Sequence, residues 1–127
     1  AQLLDGGRLD DWGQLFTEDA RFSVYGRTYE SRATIVAEIG SMVLPPDHPA
    51  KHVSLVPVID FTGDGRALAW TDFSGVGANE SGQIVVGTIG RYYDELVRDG
   101  ERWRFASRTV AMAGEPLPDD IAASPAF

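Results

Sequence analysis

Cysteine is absent from the chain, which excludes disulfide frameworks, thiolate nucleophiles and zinc–thiolate sites together. Histidine is almost as scarce. His48 and His52 are the two in 127 residues, and with no further imidazole at ligand spacing no metal site is assigned and no cofactor is expected. Basic side chains are outnumbered, 11 against 19 acidic, leaving a formal charge of −8. Such a surface repels phosphate backbones and anionic lipid, so neither nucleic acid nor a membrane is an expected partner. No apolar run approaches the roughly 20 residues that span a bilayer. The opening AQLLDGG lacks signal-peptide grammar, and a cytoplasmic location is expected. Ala1–Leu4 is helix-competent but uncapped, so the first helix is expected to begin upstream of it.

What is present suffices for a core. Hydrophobic residues make up 43% and aromatics 10%, which excludes general disorder and fits a single domain over residues 1–127. Early residues read as helix. Gly6-Gly7 is a stop signal for the first, with Asp5 near its end. DDWGQLF reads as a second short helix capped by Asp10 or Asp11, broken by Thr17-Glu18-Asp19. Ala20–Tyr25 alternates as a strand, and Ser31 is a good N-cap for a helix. Ile35, Val36, Ile39, Met42 and Val43 give that helix one apolar stripe, and LPPDHP ends it.

From Lys51 onward, the pattern is strand. KHVSLVPVIDF alternates Val53, Leu55, Pro57, Ile59 and Phe61 against His52, Ser54, Val56, Val58 and Asp60, and so predicts one continuous strand. After the turn Thr62–Gly65, Arg66–Val76 sets Leu68, Trp70, Asp72 and Ser74 opposite Ala67, Ala69, Thr71 and Phe73. Gly77–Gly82 reads as a loop. Gln83–Arg98 is a long strand with Gly87 and Gly90 at bends, and Asp99-Gly100 turns it into Arg102–Met112, with Trp103 and Phe105 expected in the core. Asp94 and Arg98 are expected on a surface ladder of charges. Helices followed by long antiparallel strands predict an α+β fold, a strongly curved sheet forming a cone with helices on its concave side. The proline-rich acidic tail, GEPLPDDIAASPAF, is expected to be loose or to close over an open end.

The segments LLDGGRLDDWGQLFTEDARF, KHVSLVPVI and GRYYDELVRDGERWRFASRTV resemble the nuclear-transport-factor-2-like superfamily in its SnoaL-like branch. The resemblance runs along nearly the whole chain. It implies a cone-shaped α+β barrel with a curved mixed or antiparallel sheet, whose N-terminal helices close a hydrophobic pocket. The fold itself hosts many chemistries. Similarity to scytalone dehydratases and bile-acid 7α-dehydratases implies a catalytic dyad of Asp5 and His52, with Asp72 as a further polar residue and Arg108 on the last strand. Leu4 stands where that pattern has a tyrosine. Val24 takes the place of a pocket tyrosine, and Tyr25 is adjacent.

On these residues the expected chemistry is general acid–base catalysis. A neutral imidazole accepts protons near neutrality, its unperturbed pKa being about 6.5, and a carboxylate on the other ring nitrogen fixes the tautomer. His52 would serve as base and acid, Asp5 as its orienting group, and Asp72 as a second acid or polar anchor. Trp70 and Tyr92 would line an apolar pocket and Arg108 would stabilise an oxyanion. The expected activity is that of a lyase or isomerase, foremost a dehydratase, on a small hydrophobic oxygenated molecule: a polyketide, steroid or aromatic. A polyketide cyclase and a non-catalytic ligand-binding or dimerisation module are the alternatives. Val and Ile residues over Gln83–Ile89 predict an apolar outer face, and hence a homodimer through it.

Overall fold

A computed structural model of the chain describes residues 1–45, 47–117 and 121. Two short helices, α1 (Gln2–Asp5) and α2 (Leu9–Gly13), lead into strand β1 (Phe16–Val24), which folds back as β2 (Arg27–Glu30). Helix α3 (Arg32–Met42) follows, then β3 (Lys51–Ser54), β4 (Val58–Gly63), β5 (Arg66–Ala78), β6 (Ile84–Asp99) and β7 (Arg102–Met112). The sheet has the order β2-β1-β7-β6-β5-β3, with β4 also paired to β5. Only the β1–β7 pair is parallel among the described strands, so the sheet is mixed. It is curved and does not close, because β2 and β3 remain edges at its two ends. The fold is α+β, as the element order predicts.

Local chemistry accounts for the main elements. Ser31 caps α3, its hydroxyl accepting from the Thr34 N–H at 3.2 Å. Ile35 and Ile39 on that helix are buried with Trp12, Phe16, Phe22 and Val24. Arg32 ties α3 to the start of β1 by donating twice to the Phe16 carbonyl, at 3.0 and 2.6 Å. The β1–β2 hairpin turns on Tyr25-Gly26, with φ of 52° and 71°. Two successive positive values are the mark of a type I′ turn, which suits glycine at its second position and strains tyrosine at its first.

Several boundaries differ from expectation. The second helix stops at Gly13, and Phe16 already belongs to β1 together with Thr17-Glu18-Asp19. The charged triplet does not break the helix, which ends before it; the triplet lies within β1 between the paired residues Phe16 and Arg21, where the register with β7 shifts. Nor does an aspartate cap α2: Arg8 holds the N-cap position and donates to Asp11 at 2.7 Å. β5 extends to Ala78, so the polar loop is shorter than expected. The tail residues 118–120 and 122–127 lie outside the described residues.

The single strand expected over residues 51–61 is two. Ser54 pairs with Phe73 and Val58 with Trp70, so four steps on one side match three on β5. The extra residue is a bulge. Pro57, which has no N–H to give a ladder, sits inside it, and Leu55 donates to the Asp72 carbonyl at 2.9 Å. Across the bulge the faces exchange. His52 and Ser54 share a face with Gly75 and Phe73, whereas beyond it Ile59 and Phe61 lie on that same face, opposite Ala69 and Ala67.

Two further corrections concern charge and core. Asp94 is buried, at 5% exposure, and does not join a surface ladder. Its carboxylate accepts two hydrogen bonds from Arg108, at 2.7 and 2.8 Å. Trp103 is 39% exposed and meets Phe61 edge-on, whereas Phe105 packs against the core.

Candidate functional site

A cavity of about 280 Å³ opens between the helices and one face of the sheet. Its lining is mostly apolar: Leu4 from α1, Phe22 and Val24 from β1, Ile39 and Met42 from α3, Phe73 from β5 and Val110 from β7. Asp5 and His52 supply the paired polar groups. The volume lies just below the range of roughly 300–1,000 Å³ usual for small-molecule sites, which suits a compact guest.

Asp5 ends α1, where a carboxylate opposes the helix dipole. Its hydrogen bonds across to β3 offset that penalty. One oxygen, Oδ2, accepts from the His52 backbone N–H at 2.8 Å, and the other, Oδ1, lies 2.6 Å from His52 Nδ1. The Asp5 side chain is 9% exposed and that of His52 40%. An ionised carboxylate only accepts, so the ring donates from Nδ1–H and the neutral imidazole keeps Nε2 as its basic nitrogen. The main-chain bond also ties the aspartate to the strand that carries the histidine.

Register decides which other residues join them. His52 lies opposite Gly75 on β5, and alternation along β5 therefore puts Phe73 on the cavity side and Asp72 and Trp70 on the outer side. Asp72 is bound there by Arg91, whose Nε and second guanidinium nitrogen donate at 2.5 and 3.1 Å. Those hydrogen bonds hold the Asp72 carboxyl below its ordinary range, burial working weakly against them. The expected inward positions of Asp72 and Trp70 are thus corrected: neither lines the cavity.

Tyr25 and Tyr92 do line it. Tyr25, in the hairpin turn, is 64% exposed and stands at the rim. Arg108 is not in the lining. It is engaged by Asp94 and lies behind the wall, its guanidinium carbon 4.2 Å from the centre of the Tyr92 ring and 4.3 Å from that of Phe105. Burial pushes the Tyr92 hydroxyl up to about 12, with Arg108 opposing the shift and Asp5 and Asp94 adding to it. Phe73 was assigned no site role by sequence reasoning, yet it stacks on Tyr92 at 4.2 Å with 7° between planes and stands 6.0 Å from the His52 ring. The signal for it was its place among small residues: Ala67, Ala69 and Gly75 share its face, the pattern of a strand side pressed against other groups. Among the described residues, no group of three or more histidine, cysteine or acidic side chains is placed to hold a metal ion.

The chain belongs to the SnoaL-like domain family, whose profile matches residues 1–109. No match is found among curated protein sequences. Solved structures share the fold. An NTF2-like protein with a cystatin-like fold from Novosphingobium aromaticivorans superposes with a TM-score of 0.78 at 20% identity, over 91% of this chain and 75% of that one. Rv3472 from Mycobacterium tuberculosis, a protein of unknown function, gives 0.73 at 21% identity over 87% of this chain; the chain spans only 63% of its length. A candidate scytalone dehydratase from N. aromaticivorans gives 0.70 at 18% identity, over 88% of this chain and 75% of that one.

Proposed function

We propose that the chain is an acid–base enzyme of the lyase or isomerase type, foremost a dehydratase, working without a cofactor on a small hydrophobic oxygenated molecule. The observation that carries this reading is the Asp5–His52 pair, with 2.6 Å between Oδ1 and Nδ1, set in an apolar cavity. Nε2 of His52 removes a proton from carbon next to a carbonyl, and Asp5 stabilises the imidazolium that results. The imidazolium then returns the proton, either to a departing hydroxide, completing dehydration, or to another carbon, completing isomerisation. The likeness in fold to a candidate scytalone dehydratase fits this chemistry.

The test compares turnover of a panel of β-hydroxy ketones by the native protein and by His52→Ala. Loss of about 10²–10⁴-fold in the variant is expected from removing a general base. Equal rates, or no turnover by either, would favour a binding module instead. The reading also includes assembly: Ile84, Val86 and Ile89 on the outer face are 75%, 59% and 56% exposed, and a second copy covering them is the simplest arrangement. Light scattering that shows only monomer at micromolar concentration would contradict the dimer.

A further inference from the structure

The wall of the cavity contains a phenol that the chain itself leaves unused. Tyr92 lines the cavity, and among the described residues its hydroxyl has no hydrogen-bond partner. Its ring, in contrast, is clamped. Phe73 stacks on it with 4.2 Å between centroids, and the Arg108 guanidinium carbon lies 4.2 Å from the same ring centre. Two groups that close cannot share one face, so they hold the ring from opposite sides. Arg108 is itself fixed by two hydrogen bonds to buried Asp94. The result is a diagonal row across four strands, His52 on β3, Phe73 on β5, Tyr92 on β6 and Arg108 on β7, with the dyad at one end.

A rigid ring with a free hydroxyl is a preorganised donor, which costs little reorganisation when charge develops beside it. The guanidinium over the ring polarises the O–H bond further. The group is protonated at neutral pH, as a phenol ordinarily is, and burial only moves its ionisation further away. The geometry points to Tyr92 as a second catalytic residue, whose hydroxyl donates a hydrogen bond to the oxygen of a carbonyl guest while His52 works on the adjoining carbon. This rests on the acid–base reading above. His52 Nε2 takes the proton, the C–H electron pair becomes the enolate, and its oxygen accepts from Tyr92 without proton transfer. The enolate then re-forms the carbonyl and expels the β-hydroxyl, which leaves as water with the proton from the imidazolium.

The test uses 2-naphthol as an apolar probe with one ionisable oxygen, and naphthalene as the same shape without it. Naphthol and naphtholate absorb at different wavelengths, so bound naphtholate is read directly by absorbance at a fixed pH above neutrality. Tyr92→Phe keeps the ring and removes only the hydroxyl. Naphtholate binding is expected to weaken about 10–100-fold, the worth of a hydrogen bond to a charged acceptor, with naphthalene binding unchanged. Unchanged naphtholate binding would overturn the proposal, as would equal weakening of both probes, or a native protein that takes up neither. The outcome is separable from the turnover comparison. Native turnover in His52→Ala with naphtholate binding lost in Tyr92→Phe removes the base and keeps the donor; the reverse pair of results removes the donor and keeps the base.

Discussion

Replacing Gly90 by alanine probes the cavity wall through the backbone beneath it. The Phe73 ring crosses β6 at Gly90 on its way to Tyr92, and a Cβ there would stand 2.5 and 2.6 Å from two ring carbons of Phe73 and 2.9 Å from the Ala111 carbonyl oxygen. Phe73 has little room to retreat, being 3% exposed and stacked on Tyr92. Overpacking of this kind costs about 1–3 kcal/mol. The reduced entropy of the unfolded chain returns about 0.4–1 kcal/mol of that. Gly90→Ala is therefore expected to lose roughly 1–2 kcal/mol net. Gly87 on the same strand supplies the control, since a Cβ there meets nothing within 4 Å and its φ is not in the left-handed region. Gly87→Ala is expected to gain about 0.4–1 kcal/mol. Urea unfolding of both variants reads the difference directly, as opposite displacements of the midpoint at constant slope. Midpoints that move together would refute the claim that Phe73 is locked over Gly90. The packed aromatic wall would then have to be abandoned.

Four other perturbations separate the elements of this account. Asp94→Ala breaks a pair in which both side chains are buried or nearly so, Arg108 12% and Asp94 3% exposed, and is expected to cost about 3–5 kcal/mol in urea unfolding; a loss below about 1 kcal/mol would mean the pair is not sequestered. Asp72→Ala removes a carboxylate that is 41% exposed and should cost no more than about 1 kcal/mol. Because the Arg91 hydrogen bonds lower the Asp72 pKa, that small contribution is present above the unfolded value, about 4, and fades as pH falls through the lower folded one. Tyr25→Asn relieves a side chain held at φ 52° in a turn that prefers Asn-Gly, and is expected to add about 0.5–1 kcal/mol; an unchanged or lower midpoint would contradict the strain. Tyr92 titrates at about 12 in the folded chain against about 10 unfolded, so the folded state holds more protons between those values and stability falls across pH 10–12 by roughly 2–3 kcal/mol. Tyr92→Phe should flatten that slope, and an equally steep decline in the variant would show that the shift belongs to other groups.

Sequence carried the elements further than it carried their faces. Ser31 as N-cap, Ile35 and Ile39 as the buried stripe of α3 and Asp99-Gly100 as a hairpin turn were legible because each depends on residues close in the chain. Alternation along β5 separated Trp70 and Asp72 from Ala69, Thr71 and Phe73, but a period of two cannot say which set faces inward. That depends on the partner strand, and specifically on His52 lying opposite Gly75. The bulge at residues 55–57 was hidden for the same reason, since an unbroken alternation looks identical whether or not the ladder slips. Asp94 read as a surface charge because nothing local reveals Arg108, fourteen residues on, as its buried partner. Asp5 and His52, far apart in sequence, were paired by family resemblance and not by pattern; the structure supplies the two hydrogen bonds between them.

The most direct measurement is the exchange of carbon-bound hydrogen. A β-hydroxy ketone incubated with the protein in D₂O is followed by proton NMR at the carbon beside its carbonyl. With Asp5 and His52 working as the base, the native protein speeds loss of that signal well above buffer, and His52→Ala slows it by about 10²–10⁴-fold. Exchange at the same rate in native protein, variant and buffer would contradict proton abstraction by His52 and leave the cavity as a place to bind.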